Sequence, residues 1–353
     1  MSSDAADNGK SSDNIGKSFA IAYLINSCGL SPQSAQSATK HVNFKSSRKP
    51  DSAIVSLQKN GFSKTQITTL IRKYPRVLMC KSDKTLLPKL EFLRSKGFTD
   101  DKLTKTVTGW PRIFRYSLEK QIIPTFEFFV EFLKSKEKAC LVIQRYACVL
   151  SLDIEKKVLP KINTLRENGV PESNVAFLLG IQPRLFEIGL DRLEEAVQEV
   201  KKLGFNPLQL SFLSAVGAFI KMRKSTWERK FKVYESWGWS ESQVLEAFRK
   251  NPRCLMASDD KIMSSMDIIV NKLRMGSGIA ELPRIITYSL KNRVIPRVSV
   301  AQALVSKGFI NDINLLTLVK ITEKAFLERF VLCHKKEAPN LLKLYRKKLD
   351  QPQ

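Results

Sequence analysis

Apolar side chains recur at helical spacing along this chain, in short segments that proline interrupts. Ile67, Leu70, Ile71 and Tyr74 are spaced like the buried face of one helix. Pro75 follows directly, and proline cannot continue a helix because it lacks a backbone N–H and its ring clashes with the preceding turn. The pattern therefore predicts a helix that ends at Tyr74.

A second amphipathic segment follows after a short turn. Ser82 begins a predicted helix that carries Leu86, Leu87, Leu90 and Leu93. Pro88 lies among them, so we expect it to kink this helix or to reset its first turn. Gly97 is typical of the left-handed residue that ends a helix. This part of the chain thus predicts two helices joined by a turn that begins with proline.

The same arrangement repeats along the chain. Proline and arginine followed by two apolar residues recur, and the step from Pro75 to Pro111 is 36 residues. The copies begin at Pro75, Pro111, Pro183, Pro252 and Pro283, with a degenerate copy at Ala147. A second proline lies 13 residues after the first at Pro88, Pro124, Pro160 and Pro296. A period of this length predicts an all-α, curved helical solenoid, in which each repeat buries its apolar face only against its neighbours.

The chain divides into four predicted segments. Residues 1–16 are small and polar, and we expect them to be disordered. Residues 17–51 are expected to form N-terminal helices and a linker, and residues 52–315 an array of about seven repeats. Residues 316–353 predict a C-terminal helical cap with a basic tail. Within the array, the repeat near Ala218 has lost its proline signature.

Charge indicates the class of partner. The chain holds 59 Lys+Arg against 34 Asp+Glu, a formal net charge of +25, which favours a polyanionic partner, most often nucleic acid. His41 and His334 are the two histidines and no Cys-x-x-Cys pair occurs, which argues against a zinc site or a histidine-based catalytic triad. We therefore expect no enzyme activity, no cofactor and no metal, and cysteines that are reduced.

Several stretches are more specific than the period itself. In them the chain resembles the mitochondrial transcription termination factor (mTERF) family, and its N-terminal run is similar to the land-plant branch. The stretches are Tyr116–Pro124, Tyr288–Arg297, Gly61–Ser63 leading to Tyr74–Leu78, and Phe19–Gly29 followed by Ser31-Pro32. The resemblance implies a left-handed superhelix whose basic concave face binds organellar nucleic acid. It also implies a role in transcription, including its termination, or in RNA processing such as intron splicing.

The resemblance also sets expectations about location. The mitochondrion is the expected organelle, with the chloroplast as the alternative, although no targeting peptide is visible in this sequence. No apolar run reaches the length of about 20 residues that crosses a membrane. We expect a monomer that does not insert into a membrane.

Three sets of basic residues are candidates for contact with nucleic acid. The first set follows the repeated prolines: Arg76, Arg112, Arg184, Arg253 and Arg284. The second lies near the second proline of each repeat: Lys89, Lys120, Lys161, Arg293 and Arg297. The third is a dense patch in the repeat that has lost its signature: Lys221, Arg223, Lys224, Arg229 and Lys230. Such side chains can grip a phosphate backbone, but the same residues could instead cap helix carbonyls or pair with acidic residues of a neighbouring repeat.

Two classes of function fit these features. The first is an organellar nucleic-acid-binding protein that acts in transcription or its termination, with an RNA splicing or processing role as its variant, because the sequence does not separate DNA from RNA. The second is a helical-repeat scaffold that binds protein. The net charge of +25 favours the first class.

Overall fold

The computed structural model describes residues 7–272, 283, 285–311, 314–334, 336 and 339–350. The chain forms two compact units. The first comprises Met1–Glu167 and Glu172–Leu190, and the second comprises Asn168–Pro171 and Asp191–Gln353. Within the described ranges all regular structure is helical and no strand occurs, which confirms the predicted all-α class.

The helices of the first unit come in pairs that follow the repeat. Their bounds are α1 Asp7–Asn26, α2 Pro32–Ala38, α3 Arg48–Lys59, α4 Lys64–Lys73, α5 Leu87–Ser95, α6 Asp100–Gly109, α7 Ile123–Leu133, α8 Lys136–Arg145, α9 Leu159–Glu167 and α10 Glu172–Ile181. Helices α4, α6, α8 and α10 begin 36 residues apart. Each packs against the next of these four, so one repeat covers the apolar face of its neighbour.

The second unit continues the helical pairs and ends in the C-terminal cap. Its helices are α11 Leu190–Lys202, α12 Leu210–Lys221, α13 Lys224–Glu235, α14 Glu241–Lys250, α15 Asp259–Asp267, α16 Ile295–Ser306, α17 Leu315–Lys320, α18 Glu323–Phe326 and α19 Leu341–Asp350. Helix α19 packs along α16 and buries Tyr345.

Local sequence signals fix where the helices begin and end. Ser63 accepts a hydrogen bond from the backbone of Gln66, whose side chain accepts one from the backbone of Ser63, and Ser240 with Gln243 forms the same capping box. These pairs satisfy N–H groups that a helix start leaves unpaired. Gly97 ends the α5 segment at φ +99°, a conformation that side chains with a Cβ rarely adopt. The predicted starts and stops are confirmed at these positions.

A short 3₁₀ turn separates the two helices of most repeats. Tyr74 leaves the helix at φ −147° and ψ 75°, and Pro75–Met79 then forms one 3₁₀ turn in which Val77 and Leu78 are buried. The equivalent turns are Pro111–Arg115, Ala147–Ser151, Pro183–Glu187, Pro252–Met256 and Ile285–Thr287. In each of these turns the two apolar residues that follow Pro-Arg or its equivalent are buried, as their apolar character predicted.

The second proline resets the start of the following helix, as the sequence indicated. A π turn precedes it at Ser82–Leu86, Leu118–Ile122, Ile154–Val158 and Leu290–Val294, and further π turns span Ile268–Lys272 and Leu327–Leu332. The N–H of Leu87 donates to the carbonyl of Ser82, five residues back instead of four. Pro88 has no N–H and its ring would clash with the carbonyl four residues earlier, so the wider turn removes that clash.

Two boundaries differ from the sequence prediction, and one repeat lacks its turn. Helix α1 starts at Asp7, so residues 7–16, which were expected to be disordered, are helical; extending an existing helix costs little once it is nucleated. Helix α3 starts at Arg48, so the linker before the array ends at Ser47. The repeat near Ala218 has no 3₁₀ turn, because α12 runs to Lys221 and α13 begins at Lys224. Loss of the proline signature there accompanies loss of the turn.

Candidate nucleic-acid interface

The arginines after the repeated prolines are exposed. Arg76, Arg112, Arg184 and Arg253 occupy the same position in four of the 3₁₀ turns, and the proline before each and the apolar pair after it are buried. With those neighbours directed into the core, the arginine is the side chain left to face solvent. Arg284, the fifth arginine of the set, lies outside the described residues.

In the first unit these turns bring arginines next to aromatic rings. Burial raises the pKa of the Tyr74 hydroxyl, and the nearby guanidinium groups of Arg76, Arg115 and Arg112 act in the opposite direction. The guanidinium of Arg184 lies 5.6 Å from the ring of Tyr146, within cation–π distance. Tyr74 and Tyr146 each stand directly before a 3₁₀ turn, so an arginine of a later turn approaches the aromatic residue of an earlier one.

Between these two contacts the rings of Trp110 and Tyr116 stack, with centroids 5.6 Å apart. The turns at Pro111–Arg115 and Ala147–Ser151 also pack on each other. We call the resulting surface the arginine–aromatic ridge. It comprises Arg76, Arg112, Arg115 and Arg184 with Tyr74, Trp110, Tyr116 and Tyr146. Its aromatic residues are half-buried, so the cations are its most accessible groups.

Residues directly after the second proline lie on the inner face of their helices. Lys89 is 5% exposed and its Nζ donates to the carbonyl of Phe114 at 3.0 Å. Lys161 is 4% exposed and donates to the carbonyl of Lys157 at 2.6 Å. Arg297 is 1% exposed and donates to the carbonyls of Leu318 and Ile321, each at 2.8 Å. These three cations of the second set are therefore occupied within the protein.

The other two members of the second set differ from one another. Lys120 is exposed on the π turn before Pro124. Arg293 is half-buried, lies 5.3 Å from the ring of Tyr288 and donates to the carbonyl of Ile321 at 2.7 Å. Of this set, Lys120 alone remains available to a phosphate.

The hydrogen bond from Lys89 belongs to a recurring type that we call the forward contact. In it, a side chain of the second helix of a repeat, or of the π turn before that helix, donates to a carbonyl that follows the first helix of the next repeat. Gln121 donates to Leu152 at 2.8 Å, Arg192 to Met222 at 3.2 Å, Lys230 to Ala257, Lys261 to Thr287 at 3.4 Å and Arg297 to Ile321 at 2.8 Å. These carbonyls follow helix ends and 3₁₀ turns, where backbone acceptors have no helical partner.

A signal for the buried cations was present in the sequence. Lys89 lies three residues after Leu86 and four before Leu93, and both leucines are fully buried. Residues at these spacings share one helix face, so Lys89 belongs to the apolar side of its helix. The same spacing places Arg297 between Val294 and Ala301.

The cations of the basic patch in the second unit differ in exposure. Lys221, Arg223 and Lys224 are exposed around the junction of α12 and α13. Arg229 is exposed but pairs with Asp259, and Lys230 is 4% exposed and bonds to the same carboxylate.

Trp227 stands among these cations in the sequence but packs into an aromatic cluster. Its ring centroid is 4.6 Å from that of Phe219 and 4.9 Å from that of Phe248. The indole ring therefore packs against the core, below the exposed cations of the patch.

Electrostatics link the patch to the 3₁₀ turns. Partial desolvation lowers the pKa of the Lys221 ammonium, and the nearby guanidinium of Arg253 lowers it further. Two cations are thus held close together, an arrangement that a bound anion would stabilise. In the second unit, Arg253 and Lys221 form the clearest candidate for a phosphate contact.

Other kinds of site find little support in the described part of the chain. No group of three or more His, Cys, Asp or Glu side chains there is arranged to hold a metal ion. The six cysteines are free thiols. Among the described helices, none combines the length and the apolar character needed to cross a membrane.

Fold and surface together define an all-helical repeat protein with clustered exposed cations. The sequence profile of the mTERF family matches residues 54–271 and 191–327, and the chain belongs to this family. No curated protein matches the sequence significantly. Membership indicates an organellar, nucleic-acid-binding function of the termination-factor type.

Proposed function

We propose that this protein binds nucleic acid in the mitochondrion through its exposed arginines and acts in transcription and its termination. The observation that carries the proposal is the equivalent placement of Arg76, Arg112, Arg184 and Arg253, each exposed after a buried proline. A planar guanidinium held at an equivalent, exposed position suits contact with the phosphates of a nucleic-acid backbone.

The proposed contact residues are fewer than the basic residues that the sequence offers. In the first unit they are Arg76, Arg112, Lys120 and Arg184, and in the second unit they are Lys221, Arg223, Lys224 and Arg253. Lys89, Lys161, Lys230 and Arg297 are left out because each is buried and donates to a carbonyl of the protein. Removing a cation from such a site costs stability, so its loss would weaken binding only indirectly.

Salt dependence tests the interface directly. Binding of the full chain to a fluorescent 30-base-pair DNA duplex is measured by anisotropy at several salt concentrations. The logarithm of affinity should fall linearly with the logarithm of salt, and Arg112→Gln and Arg184→Gln should each reduce the slope by about one. Lys105→Gln is the matched control, because Lys105 is exposed but paired with Asp101. A salt-independent affinity, or equal slopes in all variants, would refute the interface.

A single-stranded RNA of equal length separates the two variants of this function. The arginine–aromatic ridge carries Trp110, Tyr116 and Tyr146 beside its cations, and aromatic rings stack on unpaired bases. Tighter binding of the RNA, lost in Tyr146→Leu, would favour the splicing or processing role. Tighter binding of the duplex, together with transcripts that extend past their normal ends when the protein is depleted, would favour termination.

A further inference from the structure

The end of helix α7 differs from the ends of α3 and α5. After α3 and α5 a glycine in the left-handed conformation is followed by a phenylalanine, and Phe62 and Phe98 are 4% and 3% exposed. The residue 36 positions after Phe98 is Lys134, which is exposed and has φ +52°, the one positive φ of a non-glycine residue in the described chain. Helix α7 extends to Leu133, so no glycine stop and no buried aromatic residue occur here.

An open apolar groove lies at this point, entirely within the first unit. It has a volume of about 620 Å³ and is bounded by the end of α7 and by α8 and α10. Leu141 and Phe177 line it, and they are 47% and 50% exposed. They occupy the same repeat position, 36 residues apart, where the two preceding repeats have Thr69 and Lys105.

The rim of the groove is basic. Lys134, Lys138 and Arg145 line it and are exposed, and none of their side chains has a hydrogen-bond or ion-pair partner within the described residues. Glu172 is the acidic residue of the lining, and Arg166 already holds its carboxylate at 2.8 Å. The groove therefore presents an apolar floor between uncompensated positive charges.

We propose that this groove binds an acidic amphipathic helix of a partner protein. Exposed Leu141 and Phe177 provide the apolar contact, and the three rim cations match carboxylates on the flanks of the helix. Helices α8 and α10 are each 10 residues long, or about 15 Å, which suits a partner helix of about three turns with apolar anchors at i, i+4 and i+7.

Other occupants fit less well. A second copy of this chain would bring a net charge of +25 toward a basic rim. Nucleic acid would use the cations but would leave the apolar floor without a partner. A complementary surface for this groove needs both acidic and aliphatic side chains on one face.

The experiment is an unbiased peptide selection against the full-length chain. A display library of random 16-residue peptides is panned on the wild-type protein and counter-selected on Leu141→Ser/Phe177→Ser. Both residues are half-exposed, so the double variant is expected to fold, which circular dichroism checks. Peptides retained by the wild-type chain alone should be acidic and should carry apolar residues at i, i+4 and i+7.

Charge reversal then tests the rim. The best peptide should bind Lys138→Glu/Arg145→Glu at least tenfold more weakly, while Lys84→Glu, an exposed lysine outside the groove, should leave its affinity unchanged. DNA binding should be retained by the Leu141→Ser/Phe177→Ser variant. The proposal is overturned if no peptide distinguishes wild type from that variant, if the retained peptides are neutral or basic, or if the DNA duplex displaces them.

Discussion

Replacement of Arg297 by methionine should loosen the C-terminal cap without unfolding the rest of the chain. The guanidinium is 1% exposed, donates to the carbonyls of Leu318 and Ile321 and to the carboxylate of Glu323, and lies 4.8 Å from the ring of Phe326. Removing one partner of a buried, hydrogen-bonded charge costs about 3–5 kcal/mol. Because the Glu323 side chain is 55% exposed and water can hydrate its carboxylate, we take about 3 kcal/mol, the lower limit of that range.

Hydrogen exchange followed by mass spectrometry measures this loss locally. In a repeat protein a contact affects chiefly its own neighbourhood, so protection should fall in peptides from α17 and α19. A loss of about 3 kcal/mol corresponds to exchange that is about 100-fold faster, if these amides exchange through local opening. Peptides from α4 and α6 should keep their wild-type rates.

Arg253→Met is the matched control, since it removes an arginine that is exposed and whose side chain makes no hydrogen bond to any described residue. Arg253→Met should leave hydrogen exchange unchanged and weaken nucleic-acid binding. Arg297→Met should accelerate exchange but leave nucleic-acid binding unchanged at temperatures where the cap is intact. Unchanged protection of α17 and α19 in Arg297→Met would refute the structural role of this arginine. Equal acceleration in every peptide would show that its effect is not local.

Two further predictions concern titration and reactivity. Burial acts to raise the pKa of the Glu323 carboxyl, but hydrogen bonds from Tyr345 and Arg297 outweigh it and hold the pKa below the ordinary 4.5. The stability that this carboxylate contributes is therefore present above about pH 4.5 and is lost as the pH falls through the lowered pKa. Hydrogen exchange in α17 should accelerate below about pH 4.5 in the wild type but not in Glu323→Gln. Burial raises the pKa of the Cys254 thiol to about 12, whereas Cys333 is exposed, so iodoacetamide at pH 8 should alkylate Cys333 in the native protein and Cys254 only after unfolding; early labelling of Cys254 would contradict its burial.

Much of the fold could be predicted from the sequence because its local signals are strong. The capping box at Ser63, the glycine stop at Gly97 and the break at Pro75 each depend on residues close in sequence. The 3₁₀ turns follow from proline and a buried apolar pair. Such signals can be recognised in the sequence without knowing how the helices pack against one another.

The functional assignment of individual cations was less predictable. Lys224 and Lys230 lie in one helix of the basic patch, yet the first is exposed and the second is buried against Asp259. The difference depends on the helix that packs against each face, which charge density along the chain does not report. Spacing to buried neighbours, as for Lys89 between Leu86 and Leu93, carries that information.

The forward contacts give the array a polarity. Where the donor is Lys89, Lys230 or Arg297, loss of the next repeat leaves a cation on the apolar side of its helix without its carbonyl acceptor, and such a charge is expensive. A repeat that loses its predecessor is left only with carbonyl oxygens, which water can hydrate. Deleting repeats from the carboxyl end should therefore lower the stability of the remaining chain more than deleting the same number from the amino end. The helices that follow α16 supply the acceptors of Arg297 and so satisfy the last donor of the array.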